Sequence, residues 1–213
     1  MQKLLKEIAY KQLARVAPLA QCSFESFSLE CYPTTPNEKG VIPRVEMAKI
    51  LAFCKSYANS FSTASDSLFF FGRTGLGKTH LSLAIAAAAL EKGFGTVYFS
   101  AQNLFSRLAK EHFGRSEEDT EAQVLQCDFL ILDDLGTEYP SAFVTAALYN
   151  IVNTRLLAGK PTLINSNLDL TQLQNVYSER FISRLAGCYS MHEFCGTDIR
   201  VEKQIRKNQQ NRL

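Results

Sequence analysis

The sequence has few of the features that would place the protein in a membrane, a secretory pathway or a disulfide scaffold. Its longest apolar run, Leu81–Leu90, is far shorter than the roughly 20 residues that a membrane-spanning helix needs. Charged residues at Lys3, Lys6 and Glu7 interrupt the N-terminal stretch, which argues against a secretory signal. The six cysteines include no C-x-x-C pair, so they indicate free thiols in a reducing compartment rather than a zinc site. We therefore expect a cytoplasmic protein without a membrane partner.

Net charge is also almost absent, because 23 Lys and Arg residues face 21 Asp and Glu residues and leave a formal charge of +2. An excess this small does not predict a nucleic-acid partner, so such a surface would have to be a local patch. The 213 residues are 46% hydrophobic and 21% charged, which is typical of one soluble globular domain with a sizeable core.

From residue 67 onward, short apolar runs alternate with helical patterns. The predicted strands are Ser67–Phe71, Thr96–Phe99, Phe129–Leu132, Thr162–Asn165 and Tyr189–Phe194. The predicted helices are Lys78–Lys92, Ala101–Phe113, Glu117–Gln126, Ala142–Leu157 and 170–186. This alternation predicts an α/β fold in which helices cover both faces of a parallel sheet. Upstream, a helix is predicted from Pro43 to about Phe61, and residues 2–16 have helical spacing that fits either a helix on the core or a connector.

The most specific pattern is a complete G-x-x-x-x-G-K-[ST] loop between the first predicted strand and the helix after it. It reads Gly72-Arg73-Thr74-Gly75-Leu76-Gly77-Lys78-Thr79, and His80 follows it. Glycines let the backbone point several N–H groups at one anion, and the helix N-terminus adds its positive dipole end. Lys78 supplies a charge for the outer phosphates, and the Thr79 hydroxyl can be a ligand of Mg²⁺. Residues 72–80 are therefore predicted to bind ATP with Mg²⁺.

Two carboxylates, Asp133 and Asp134, follow the third predicted strand. Ligands of open parallel sheets collect at the carboxyl ends of the strands, so both should face the phosphate loop. Asp133 is predicted to hold Mg²⁺ together with Thr79 or through water. Asp134 is predicted to orient and deprotonate an attacking water. The reaction class is attack on the γ-phosphate of a nucleoside triphosphate.

Polar residues farther along the chain distinguish between a small-molecule kinase and an ATPase that assembles with its own copies. Asn167 lies just past the fourth predicted strand, Arg180 and Arg184 are four apart on one helix face, and Arg200 follows the fifth strand. Groups that sense nucleotide and complete a neighbour's site favour the assembling ATPase. Each arginine alone could equally be a solvated surface charge.

Together with Ser23–Phe27, residues 133–138 (DDLGTE) and Gly196–Arg200, these motifs resemble the DnaC/DnaI helicase loaders, bacterial replication ATPases of the AAA+ superfamily. The resemblance covers roughly residues 20–205. It implies a P-loop AAA+ fold with a five-stranded parallel sheet in the order 5-1-4-3-2, sandwiched by helices, with little or no lid domain. It also implies that Asn167 is the first sensor, Arg184 an arginine finger given to a neighbouring subunit, and Arg200 the second sensor.

The resemblance further implies a weak ATPase that forms an ATP-dependent homo-oligomer, binds single-stranded DNA and delivers the replicative helicase, through an N-terminal region that this chain lacks. We expect residues 1–20 to be an N-terminal helix or remnant linker, residues 21–205 the ATPase domain and residues 206–213 a basic tail. Aspartate at position 134, where many relatives in the superfamily carry glutamate, fits a switch more than a fast motor. Two alternatives remain: a transposition helper ATPase of the IstB type, and a nucleotide-gated DNA-binding module with negligible turnover.

Single-stranded DNA is expected to contact the helical segment 101–126. The residues that suggest this are basic groups for phosphates and aromatic rings for bases: Phe105, Arg107, Lys110, Phe113 and Arg115. The alternative is that the two rings are core positions and the basic residues a solvated face. A second possible DNA contact is the basic tail at Lys203, Arg206 and Lys207.

Overall fold

The computed structural model describes residues 22–116, 118–202 and 204. The helix predicted over residues 2–16 lies outside this part of the chain. So do the basic residues Lys203, Arg206 and Lys207 of the tail. Within the described residues, no helix is both long enough and apolar enough to cross a membrane. All six cysteines fall in this part of the chain, and all are free thiols.

Helices and strands alternate as the sequence pattern predicts. After a 3₁₀ turn at Leu29–Cys31, the helices are α1 (Pro43–Ser60), α2 (Lys78–Glu91), α3 (Ala101–His112), α4 (Thr120–Gln126), α5 (Ala142–Leu157), α6 (Leu170–Gln174) and α7 (Glu179–Cys188). The strands are β1 (Ser67–Phe71), β2 (Thr96–Ser100), β3 (Phe129–Leu135), β4 (Thr162–Ser166) and β5 (Tyr189–Glu193).

All neighbouring strands are parallel, and their order across the sheet is β2-β3-β4-β1-β5. Read from the other edge this is 5-1-4-3-2, so the predicted order is confirmed. The strand β1 lies between β4 and β5, which brings the loop that follows it beside the ends of β3 and β4. That placement puts the phosphate loop and the acidic pair at one edge of the sheet.

Each face of the sheet is covered by its own apolar core. Alternate residues of a strand point to opposite faces, and on β1 Leu68 and Phe70 pack under α1 and α2, whereas Phe69 packs with α3, α5 and α7. Central strands buried on both faces explain why the strand sequences read as continuous apolar runs. The core therefore fixes the strand ends that carry the polar site residues.

Three predicted boundaries are wrong. Residues 170–186 form two helices, because Asp169 makes a capping box with Gln172 at the start of α6 and Ser178 accepts a hydrogen bond from the Phe181 N–H at the start of α7. The helix predicted from Glu117 begins at Thr120, where Asp119 caps it. The strand β3 runs on to Leu135 and so includes both aspartates.

A buried guanidinium joins the elements at the opposite edge of the sheet. Arg155 of α5 is 1% exposed. It donates to Thr162 Oγ1 (2.8 Å), to the carbonyls of Val124 (2.7 Å) and Pro161 (2.8 Å), and to Cys127. Burial lowers its pKa, although arginine stays charged at neutral pH. Arg155 therefore ties α5 to the end of α4 and the start of β4.

Candidate nucleotide-binding site

The phosphate loop owes its shape to glycines at positions that other residues could not occupy. Gly77 has φ 91° and Gly75 has φ 75°, in the left-handed region. A Cβ atom on Gly77 would lie 2.7 Å from the Phe27 ring, and one on Gly75 would lie 2.1 Å from the Asp198 carboxylate. The loop is thus wrapped closely between the segment before α1 and the segment after β5.

Lys78, the first residue of α2, directs its ammonium group back into this loop. Its Nζ donates to the carbonyls of Gly72 (2.6 Å) and Arg73 (2.8 Å) and to Asn167 Oδ1 (2.9 Å). Burial lowers the pKa of Lys78 to about 8, despite the attraction of Asp134 and Asp133. All three acceptors are neutral, so the cation is desolvated without a paired anion, and a phosphate would supply one.

Asp133 is held by neutral donors from three elements. Thr79 Oγ1 donates to Asp133 Oδ1 (3.1 Å), Asn165 Nδ2 to the same oxygen (2.6 Å) and the Tyr98 hydroxyl to Oδ2 (2.7 Å). The carboxylate is 2% exposed. Burial, followed by the charge of Asp133, raises the pKa of Tyr98, so its hydroxyl stays a donor at neutral pH.

Asp134 points to the cleft from an unusual backbone conformation. Its φ of 55° is the one positive value at a non-glycine residue among those described, and such strain often marks functional positions. Asn167 Nδ2 lies 3.5 Å from Asp134 Oδ1, while the Asn167 oxygen accepts from Lys78. Burial, and then the neighbouring Asp133 charge, raises the pKa of Asp134. The two ends of the Asn167 amide therefore contact the lysine and the second aspartate.

A cleft of about 250 Å³ lies over these groups. Its floor is the loop from Thr74 to His80, and Asp134 and Asn167 lie at one end. The segment before α1 forms a wall with Cys22 and residues 26–28. His80 anchors this wall, since its Nε2 lies 2.7 Å from the Ser23 carbonyl oxygen and its ring packs edge-on to Phe27.

The segment after β5 closes the other side of the cleft. The Ile199 N–H donates to the Gly75 carbonyl (3.0 Å), and the Arg200 N–H donates to Asp198 Oδ1 (2.9 Å). Both Ile199 and Arg200 line the cleft. Arg184 is exposed on α7, as is Arg180 one turn before it, so the structure brings Arg200 but not Arg184 to this chain's own cleft.

The residues present fit a magnesium nucleotide. The loop glycines, the N-terminus of α2 and the desolvated Lys78 form an anion site, whereas the Thr79 hydroxyl and the Asp133 carboxylate offer the oxygen atoms that Mg²⁺ prefers. Among the described residues, no cluster of three or more His, Cys, Asp or Glu side chains could hold a metal. A magnesium ion here would therefore depend on phosphate oxygens as well as on Thr79 and Asp133.

The expected DNA-contact residues are not all on the surface. Phe105 is 3% exposed and belongs to the core under α3, so the prediction that it stacks on bases is wrong. Arg107 lies over the Phe99 ring and forms an ion pair with Glu118 (3.1 Å). Phe113 is 67% exposed, and the other two residues of the predicted set, Lys110 and Arg115, are also exposed.

Tyr98, Asn165 and Ser82 are site residues that the sequence analysis did not identify. Asn165 is the one signal that was available, because it interrupts the apolar run of β4 and a buried amide requires partners. Tyr98 looked like an ordinary aromatic strand residue, and Ser82 like a polar residue in an apolar helix. Only the packing of β2, β4 and α2 brings them together.

Comparison with known proteins follows this geometry. The family model of IstB-like ATP-binding proteins matches residues 48–186. The chain is 27% identical over 188 residues to the replicative helicase loader DnaC of Buchnera aphidicola subsp. Schizaphis graminum, covering 87% of this chain and 69% of that protein. It is 28% identical over 157 residues to a protein of a Mycobacterium tuberculosis insertion sequence described as ATP-binding, covering 74% of this chain and 57% of that protein.

The fold is also that of solved structures. A crystal structure of the DnaC helicase loader superposes with a TM-score of 0.68 at 22% identity, covering 84% of this chain and 99% of that one. The helix-flanked five-stranded sheet is thus a P-loop AAA+ architecture, as predicted. This chain spans about two thirds of the length of the Buchnera relative and just over half of the mycobacterial one.

Proposed function

Because this chain belongs to the family of IstB-like ATP-binding proteins, we propose that it is an ATP-dependent loader of a replicative DNA helicase whose nucleotide site is the cleft around Lys78. The observation that carries the proposal is the convergence of Lys78, Asp133, Asp134 and Asn167 at the carboxyl ends of three strands. Switch points of parallel sheets are where nucleotides bind.

In this proposal the loop amides and Lys78 hold the phosphates, and the base lies toward the wall of residues 22–28. Thr79 and Asp133 hold Mg²⁺, which supplies positive charge against the β- and γ-phosphates. Lys78 leaves its carbonyl partners and turns to the phosphate oxygens when the nucleotide binds. This movement is small, because the lysine already lies over the loop.

Hydrolysis is assigned to Asp134, with Asn167 beside it. Asp134 would orient the attacking water and accept its proton, and its raised pKa makes it a better base than an ordinary aspartate. Asn167 links this carboxylate to Lys78 and would position the water relative to the γ-phosphate. The short side chain of Asp134 supports a slow, switch-like turnover rather than a motor.

Two arginines are assigned to opposite subunits of an ATP-dependent homo-oligomer. Arg200 lines the cleft of its own chain and would act on the phosphates in cis. Arg184 is exposed on α7 and would enter the cleft of a neighbouring copy. An arginine supplied in trans stabilises the charge that spreads over the transferred phosphoryl group. The exposure of Arg184 supports this assignment.

The likeness to DnaC supports delivery of the replicative helicase onto single-stranded DNA. The exposed residues Lys110, Phe113 and Arg115 at the end of α3 are the proposed DNA contacts. A second candidate is a transposition helper ATPase, favoured by the family match and by the relative from an insertion sequence. The two candidates share the nucleotide site and differ in the protein partner.

The experiment that separates them uses the natural full-length protein immobilised with ATP, ADP or no nucleotide. The replicative helicase of the same organism is passed over it, and helicase transfer to labelled single-stranded DNA is then measured. We expect ATP-dependent capture and transfer, and loss of both with Lys78→Ala. Capture of a transposase but not of the helicase would contradict the loader assignment and establish the second candidate.

A further inference from the structure

The Asp133 carboxylate is oriented by a buried polar network in which each member has a defined direction. Asn165 must present its Nδ2 to Asp133, because its oxygen placed 2.6 Å from a carboxylate oxygen would be repelled. The Asn165 oxygen instead faces Ser82 Oγ, 2.9 Å away on α2. Tyr98 approaches from β2 on the other side and donates to the second carboxylate oxygen.

These donors restrict both torsions of the aspartate side chain. Asn165 and Ser82 are fully buried in the sheet and in α2, so their positions follow those elements rather than a mobile loop. Because Tyr98, Asn165 and Thr79 are neutral, the negative charge of Asp133 remains available to a cation. A carboxylate without these donors would rotate among several staggered positions.

We propose that Tyr98 and Asn165 are positioning residues that hold the Asp133 carboxylate in the orientation required for the magnesium of a bound nucleotide. The proposal rests on the proposed function, in which the cleft binds MgATP. Neither residue lines the cleft, so both act through Asp133. The phosphate loop and Lys78 bind phosphate independently of them.

This division predicts a specific defect. Removing a donor from Asp133 should weaken the magnesium-dependent part of nucleotide affinity and leave the magnesium-free part unchanged. Residues that orient metal ligands typically affect metal affinity by 10–100-fold. A purely structural hydroxyl would instead affect stability alone.

The test is titration of the natural full-length protein with a fluorescent ADP analogue over a series of Mg²⁺ concentrations, and in EDTA. The variants are Tyr98→Phe and Asn165→Ala, and the matched control is Tyr57→Phe. Tyr57 also buries its ring and donates its hydroxyl, to the Asp66 carbonyl at 2.6 Å, but it lies on α1 away from the cleft.

For Tyr98→Phe, the Mg²⁺ concentration at half-maximal effect should rise on the order of tenfold, with affinity in EDTA within about twofold of the parent and no change in Tyr57→Phe. Tyr98→Phe decides the matter if Asn165→Ala does not fold, because it conserves the ring. An unchanged Mg²⁺ midpoint in Tyr98→Phe, or an equal shift in Tyr57→Phe, would overturn the proposal. A parent protein that fails to bind the analogue would overturn the proposed function as well.

Discussion

Replacing Lys78 with methionine should separate the stability of the protein from its affinity for nucleotide. Methionine keeps the apolar stem and removes the ammonium group, whose three partners are the neutral oxygens of Gly72, Arg73 and Asn167. The pKa of Lys78 falls from 10.5 to about 8, which corresponds to about 3 kcal/mol against the charged form below that pH. The nucleotide-free variant should therefore be about as stable as the parent.

The ligand-bound protein should behave differently. Nucleotide at 100 times its dissociation constant stabilises the fold by about 2.7 kcal/mol. If the variant binds on the order of 100-fold more weakly, the same concentration stabilises it by only about 0.4 kcal/mol. For a domain of this size, 1 kcal/mol moves the melting temperature by about 2–4 °C. MgADP should thus raise the midpoint by about 5–11 °C in the parent and by about 1–2 °C in Lys78→Met.

Thermal melting with and without MgADP measures both quantities, and Lys92→Met is the control. Lys92 also donates to main-chain carbonyls, including that of Ala58 at 2.8 Å, but at the end of α1 rather than in the cleft. Its variant should keep the full MgADP shift. The reasoning would be refuted if Lys78→Met kept the parental shift, or if it lost several kcal/mol of stability without nucleotide.

Three further predictions follow from other parts of the structure. Arg155→Ala should destabilise the protein by about 3–4 kcal/mol, because buried carbonyls lose their donor, while ADP affinity remains unchanged in the folded fraction; an unaltered melting midpoint would contradict this. Arg184→Ala should bind ATP normally but hydrolyse it slowly, recover activity when mixed with Lys78→Ala, and differ from the equally exposed Arg180→Ala; no recovery in a mixture that co-assembles would show that Arg184 does not act in trans. Lys110→Glu with Arg115→Glu should weaken single-stranded DNA binding in anisotropy titrations and flatten its salt dependence by about 0.7 in slope per lost phosphate contact; parental binding would place the contact elsewhere.

The nucleotide site could be identified from sequence where a short segment carries its own conformation. Glycines at Gly75 and Gly77 adopt the left-handed angles that the loop needs, and the lysine and hydroxyl follow at fixed spacing. The aspartates could be placed because β3 is an uninterrupted apolar run whose carboxyl end has a known neighbour in a parallel sheet. The strand order followed from the resemblance to AAA+ loaders and is confirmed by the structure.

Local signals were weaker where two interpretations compete. In α3, Phe105 lies next to Leu104 and three residues before Leu108, which is the spacing of a buried helix face. The resemblance to loaders favoured a DNA contact, but the packing of α3 on the sheet buries the ring. The helix predicted over 170–186 divides because two side-chain caps begin new helices within it.

The remaining features were decided by tertiary structure alone. Tyr98 and Asn165 are distant from Asp133 in sequence, and they meet it only because β2 and β4 are the two neighbours of β3. The wall of residues 22–28 reaches the cleft through contacts of Phe27 and Ser23 with His80, and Arg155 finds its partners across α4 and β4. A glycine's torsion angles are a property of one residue, whereas the partners of a buried tyrosine, amide or guanidinium depend on how strands and helices pack, and short-range patterns do not encode that.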